Sequence, residues 1–168
     1  SNTGAAGYQD FMQHLAQNAY DYHFDTHLFN VALQGQNVEQ DIVKALAGVT
    51  RASAHYDCAV IIRGGGSRMD LAGFDNEKIG EAIAHCPIPV ITGIGHEIDQ
   101  SVADILAHTT LKTPTAVADF LIERMLDFES TIDSTFERIA QLIEGTVVDQ
   151  RNFLRHAASI LSFTPREY

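Results

Sequence analysis

Two short stretches of the sequence carry side chains that could act on a phosphate group. The first is Arg63 followed by Gly64, Gly65, Gly66 and Ser67. Successive glycines permit backbone conformations that are closed to other residues, and the amides of such a turn can converge on an anion. A guanidinium beside them can bind two phosphate oxygens at once. This stretch therefore predicts an oxyanion or phosphate site, and a glycine-rich turn that binds nothing is the alternative.

The second stretch places an imidazole and carboxylates after another glycine turn, in Gly95-His96-Glu97-Ile98-Asp99. Histidine ordinarily titrates near neutral pH, so His96 could activate water or protonate a leaving oxygen. Asp99 could orient that imidazole or bind a divalent cation. In the alternative interpretation Asp99 or Ser101 caps the next helix, and the histidine is an ordinary loop residue.

A short apolar run precedes each stretch, over residues 58–62 and 88–92. Such runs are typical of strands buried on both faces of a parallel sheet. A predicted helix lies between them, and this order favours a right-handed crossover. Parallel neighbours end at the same edge of the sheet, where open α/β proteins bind ligands. We therefore expect Arg63 and His96 to face one crevice.

Apolar periodicity, and for one strand a high content of aromatic and branched residues, predicts the other elements of an α/β domain over residues 3–115, a Rossmann-like open, mostly parallel sheet flanked by helices. The predicted elements are a helix over 8–20, a strand over 22–33, a helix over 38–54, a helix from Asp75 or Asn76 to about 85, and a helix over 101–107. The first helix follows a turn that a strand would normally precede. The domain's first strand is thus expected to lie outside this sequence.

A heptad-like apolar stripe runs along residues 116–163. It predicts a long amphipathic helix, the start of a coiled coil, that docks on another helix or on a second copy of the chain. A helix that folds back on its own domain is the alternative. Gly145 interrupts the stripe and could mark a break or a turn.

Charge and cysteine content restrict the function classes. The net charge of −11 at pH 7 argues against broad nonspecific binding to nucleic acid. No apolar run is long enough to span a membrane, so no membrane partner is expected. Cys58 and Cys86 do not form a Cys-x-x-Cys pair, which favours buried free thiols in a reducing, cytoplasmic setting.

Five landmarks follow one another along the chain: Thr3-Gly4-Ala5-Ala6, Gln34-Gly35, the Arg63–Ser67 stretch, Gly95-His96-Glu97-x-Asp99, and Thr113-Pro114-Thr115. Their order and spacing resemble the large-subunit family of exodeoxyribonuclease VII over essentially the whole chain. The resemblance implies a DNA-repair nuclease that degrades single-stranded DNA to oligonucleotides. It also implies a partner, a small helical subunit present in several copies.

From the sequence alone, Asp10 near the start of the first predicted helix is an acid that favours the helix dipole. The resemblance implies a catalytic role for it and for other residues. Catalytic positions map to Asp10, Arg63, His96 and Asp99. The phosphate-binding residues Gly64, Gly65, Gly66 and Ser67 are predicted from the glycine turn itself. Family members usually carry glycine where this chain has Ile62. Activity in this family persists in the presence of chelator, so the resemblance implies no required cofactor. It leaves open whether a divalent cation such as Mg²⁺ takes part. Full-length members add an OB-fold before this region and a long coiled coil after it, which would supply DNA affinity.

A binding module is the alternative function: an α/β domain whose glycine turn holds a nucleotide or sugar phosphate and whose long helix serves assembly. A nucleotide phosphotransferase is disfavoured, because Ser67-Arg68 stands where a Walker lysine would follow the glycines.

Overall fold

The computed structural model describes residues 5–31, 37–64, 73–95 and 101–163, and these form a mixed α/β structure. The elements in chain order are α1 Ala6–Ala16, α2 Val38–Arg51, a 3-10 turn Ser53–His55, β1 Ala59–Ile62, α3 Glu77–Ala84, β2 Val90–Gly93, α4 Val102–Leu106, β3 Thr109–Thr110 and α5 Pro114–Phe163.

The apolar runs before the two glycine stretches form neighbouring parallel strands, as predicted. β1 pairs with β2 in a register that runs from Ala59↔Val90 to Ile62↔Gly93. β3, for which the sequence predicts no strand, pairs parallel with β2 and completes the described sheet in the order β1-β2-β3. Two threonines are too short a run to show any periodicity, so this strand depends on its tertiary contacts.

Helices cover both faces of the sheet, and the strands show why. Along β1, Ala59 and Ile61 belong to one apolar cluster while Val60 and Ile62 belong to the other, as expected when successive side chains point to opposite faces. The first cluster contains Val38, Ile42, Leu46 and Val49 of α2, Ile79 and Ile83 of α3, and Ala103 of α4. The second contains Phe11 and Leu15 of α1 with Val117 and Ala118 of α5.

The strand predicted over residues 22–33 is wrong for residues 22–31, which form no strand; residues 32 and 33 lie outside the described part. The aromatic residues that suggested a strand serve packing instead. The Phe29 ring lies 6.2 Å from the Tyr56 ring and against Gly48 of α2. Strand preference largely reflects a half-buried, packed surface, and this segment obtains one without backbone pairing.

Helices α3 and α4 each begin at one of the two cap residues that the sequence predicts for them. Asn76, rather than Asp75, caps α3 by accepting a 2.9 Å hydrogen bond from the Lys78 amide. Ser101 caps α4 in a reciprocal capping box with Asp104.

The chain divides into two units, residues 1–123 and 124–168. Helix α5 continues through the second unit and passes Gly145 without a break, so the interruption considered there does not occur. A helical glycine costs only about 1 kcal/mol relative to alanine, which is too little to end a long helix. Among the described residues, no helix combines the length and the apolar content that crossing a bilayer requires.

Candidate active site at the carboxyl edge of the sheet

Arg63 lies at the carboxyl end of β1, directly beside the end of β2. Its amide donates a 3.2 Å hydrogen bond to the Gly93 carbonyl, which extends the strand pairing by one step. The residue is only 6% exposed. Arginine stays charged even when buried, and its planar donors suit a phosphate or a carboxylate.

The first turn of α1 packs against the main chain that follows Arg63. Gly7, the second residue of α1, is buried, and its backbone is in contact with the backbone of Gly64. The amino-terminal end of α1 therefore lies at the same edge of the sheet as Arg63.

The start of α5 meets this edge from the β2 side. A Cβ at Gly93 would lie 2.5 Å from Cγ2 of Val117 and 3.2 Å from the Thr113 carbonyl oxygen. Thr113 caps α5, since its hydroxyl accepts a 3.1 Å hydrogen bond from the Ala116 amide, and Pro114 takes the first helical position, which it favours. The Thr113-Pro114-Thr115 landmark thus begins a helix beside the end of β2.

Asp10 is exposed and lies on α1. The simple interpretation, an acid that favours the helix dipole, loses support because the first turn of α1 contains no acidic residue. Dipole effects fall off within the first turn. Asp10 instead follows Gly7 by one helical turn, on the helix that contacts Gly64.

The remaining predicted site residues, Gly65, Gly66, Ser67, His96 and Asp99, lie outside the described residues, so their roles stay predictions. The strand pairing and the Arg63–Gly93 hydrogen bond show that both glycine stretches leave the sheet at one edge.

A buried hydrogen-bond network surrounds Asp104, which none of the sequence patterns above predicts. The Thr92 hydroxyl of β2 donates to Asp104 Oδ1 at 2.6 Å, and the Ser101 hydroxyl donates to Oδ2 at 2.8 Å. The Thr110 hydroxyl of β3 donates to the Asp104 carbonyl oxygen at 2.7 Å. The network joins β2, β3 and α4. The spacing Ser101-x-x-Asp104 was a detectable signal, because it is a capping-box pattern.

The shifted pKa values found in the described residues belong to structural groups. Hydrogen bonds from Lys78 and Asn76 lower the pKa of Glu39, and the bond to Glu39 raises the pKa of Lys78. Burial, aided by the charge of Asp57, raises the pKa of the Cys58 thiol. Cys58 and Cys86 are free, as predicted, but are half-buried rather than fully buried.

Within the described ranges, no three His, Cys, Asp or Glu side chains are grouped closely enough to bind a metal ion. Of the two aspartates predicted for the site, Asp10 lies within these ranges and Asp99 lies outside them.

Comparison with known proteins gives consistent matches. The family model for the exonuclease VII large subunit matches residues 1–168. The exodeoxyribonuclease 7 large subunit of Thermotoga sp. (strain RQ2) is 36% identical over 117 residues, which cover 68% of this chain and 29% of that protein. The protein of the same name from Campylobacter jejuni (strain RM1221) is 32% identical over 163 residues, 97% of this chain and 41% of that protein. The chain thus spans less than half the length of these curated relatives, and it belongs to the exonuclease VII large subunit family.

Proposed function

We propose that this chain is the catalytic region of an exonuclease that hydrolyses phosphodiester bonds in single-stranded DNA and releases oligonucleotides. Family membership supports the reaction class, since its relatives are named exodeoxyribonuclease 7 large subunit. The structural observation that carries the proposal is Arg63, buried at the carboxyl end of β1 and hydrogen-bonded through its amide to the end of β2.

In this proposal Arg63 and the amides of Gly64–Gly66, with Ser67, hold the nonbridging oxygens of one phosphodiester. The negative charge on these oxygens grows as water adds to phosphorus, so fixed donors lower the barrier. The near-complete burial of Arg63 supports this role, because a charge acts more strongly where water is excluded.

His96 is proposed as the general acid or base. It takes a proton from the attacking water or gives one to the oxygen that leaves as the P–O bond breaks. Asp99 orients the imidazole or binds a divalent cation such as Mg²⁺, for which carboxylate oxygens are suitable ligands. Asp10 completes the catalytic set. The parallel pairing of β1 with β2 supports the approach of residues 96–99 to the edge that carries Arg63.

We further propose that residues 3–115 form a Rossmann-like catalytic domain and that residues 116–163 begin a coiled coil. Large apolar side chains are exposed along this part of α5, with Phe128 at 61% and Phe136 at 68%. Apolar surface of this extent on a long helix is typical of an interface. We propose that the small helical subunit binds to this apolar surface of α5. The alternative is that α5 binds to α5 of a second copy of the chain.

The acidic composition supports the proposal that catalysis and DNA binding are carried by different regions of a longer protein. With a net charge of −11, this region alone is expected to bind DNA weakly and to cut it slowly. We propose that the rest of the large subunit provides most of the DNA affinity and that the assembly works in the cytoplasm.

The test is digestion of an end-labelled single strand by the full-length large subunit assembled with its small subunit. Wild type is expected to release short oligonucleotides, and His96→Ala is expected to be at least about 100-fold slower. The matched control is His23→Ala, since the His23 side chain is 90% exposed. Parallel reactions with chelator show whether the reaction uses a metal ion: loss of activity in chelator favours a metal bound by Asp99, and unchanged activity favours Asp99 as the group that orients the imidazole. An inactive wild-type complex that mononucleotides stabilise against heat would favour the binding module instead.

A further inference from the structure

Gly7 and Gly64 are in direct main-chain contact. A Cβ at Gly7 would lie 2.5 Å from the Gly64 Cα and 2.6 Å from the Gly64 nitrogen. A Cβ at Gly64 would lie 2.9 Å from the Gly7 nitrogen. The atoms in the way are backbone atoms, so no side-chain rotation can make room. The contact as it stands requires glycine at both positions.

The chain around Gly64 is also held from the sheet side. Arg63, its neighbour, donates its amide to the Gly93 carbonyl, and Ile62 pairs with Gly93 in the strand register. The Arg63–Gly64 segment therefore lies between the end of β2 and the first turn of α1. A methyl group at residue 7 would displace either α1 or this segment.

Helix α1 is fixed on the sheet by two buried side chains, Phe11 at 6% and Leu15 at 3% exposure. Asp10 follows Gly7 by three residues, a spacing that places both on one face of a helix. The contact between Gly7 and Gly64 thus sets the separation between the main chain of Arg63 and the helix that carries Asp10.

We infer that Gly7 is a positioning residue of the nuclease: it fixes the Arg63 segment relative to Asp10 through its close backbone contact with Gly64. The inference rests on the proposed function, because it concerns the roles given there to Arg63 and Asp10. A displacement of about 1 Å in a catalytic group can reduce the rate by about 100-fold. One added methyl group is enough to produce a displacement of that size here.

The test is Gly7→Ala in the full-length large subunit assembled with the small subunit. We expect kcat on a labelled single strand to fall at least about 10-fold while KM changes less than about 2-fold. Alanine favours helices over glycine, so helix propensity alone would predict no loss. The matched control is Gly48→Ala in α2, because the atoms nearest to a Cβ built there belong to the Phe29 side chain, at 3.2 Å or more, and not to the backbone. It is expected to keep its kcat.

Leu46→Ala separates positioning from general stability, since it removes a buried side chain of α2, in the apolar cluster on the other face of the sheet from α1. Assayed below its melting temperature, it is expected to keep a kcat within about 2-fold of wild type. If Gly7→Ala does not fold, Ala6→Gly loosens the same turn of α1 without adding atoms, and we expect kcat to fall by about 2- to 5-fold at unchanged KM.

A wild-type kcat in folded Gly7→Ala, or in Ala6→Gly where Gly7→Ala does not fold, would overturn the inference. So would a loss of activity in Gly7→Ala no larger than that of an equally destabilised Leu46→Ala. The proposed function would survive these results provided that wild type digests single strands and Arg63→Ala does not. A wild-type complex without nuclease activity would overturn the proposed function itself.

Discussion

The Thr92 hydroxyl on β2 donates a 2.6 Å hydrogen bond to the Asp104 carboxylate on α4, and both side chains are buried. Thr92 precedes the segment 96–100 and α4 follows it, so this bond connects the elements on either side of the segment proposed to carry His96 and Asp99. The Ser101 hydroxyl satisfies the second carboxylate oxygen. A buried carboxylate is tolerated when its oxygens are satisfied in this way.

Thr92→Val should therefore destabilise the protein by about 2 kcal/mol, because it keeps the shape of the side chain but removes the donor to a buried carboxylate. The measurement is the urea midpoint of unfolding. Thr109→Val is the matched control, since Thr109 is a half-buried threonine of the neighbouring strand that makes no bond to Asp104. Equal midpoints for the two variants would contradict the importance given to this network.

Arg63→Ala is expected to slow digestion of single-stranded DNA by about 100-fold or more, because it removes a donor from the proposed transition-state site. Arg63→Lys should restore little of this rate, since lysine lacks the planar pair of donors. Both are measured as kcat and KM on a labelled single strand. Arg51→Ala, at an exposed residue in the last turn of α2, is the control. Near-normal kcat in Arg63→Ala, with the protein folded, would remove Arg63 from the catalytic set.

How much of this could be predicted from sequence differs from residue to residue. The pairing of β1 with β2 was predictable because two buried apolar runs with a helix between them favour one arrangement, a right-handed parallel crossover. The failed strand over residues 22–31 shows the limit of composition, since the same aromatic residues suit a pleated surface or a packed irregular segment.

The contact between Gly7 and Gly64 was out of reach for a different reason. Neither glycine stands in a local pattern that points to the other, and their approach depends on how α1 packs on the sheet. Asp75 is similar: considered as a cap for α3, it instead accepts a 3.0 Å hydrogen bond from the Val102 amide of α4. Local patterns identify which residues can cap a helix, and tertiary packing decides which one does.

The pair between Glu39 and Lys78 predicts a pH dependence of stability. Hydrogen bonds from Lys78 and Asn76 lower the pKa of Glu39 in the folded protein below its ordinary value of 4.5. A lowered folded pKa means that the stabilisation is present above the unfolded pKa and is lost as pH falls through the folded one. Glu39→Gln should therefore lower the urea midpoint of unfolding at pH 7. In strong acid its midpoint should approach that of wild type.

The effect of this pair is expected to be small, because the Lys78 side chain is exposed and the Glu39 side chain is only half-buried, and to weaken as salt is added. Glu81→Gln, on the exposed surface of α3, is the control and should follow wild type at every pH. If the difference in urea midpoint between wild type and Glu39→Gln grows as the pH falls, the predicted direction of the pH dependence is wrong.

Phe136 on α5 gives the test of the proposed interface. It is 68% exposed, and aromatic residues of this kind often contribute most to helix–helix binding. Phe136→Ser should weaken binding of the small subunit by about 10-fold or more, measured by analytical ultracentrifugation of the full-length large subunit with its partner. Glu137→Ser alters the adjacent exposed residue and should bind as wild type does. If Phe136→Ser leaves small-subunit binding intact but abolishes a concentration-dependent dimer of the large subunit, then α5 associates with a second copy of itself. If it changes neither, the apolar stripe is not the interface.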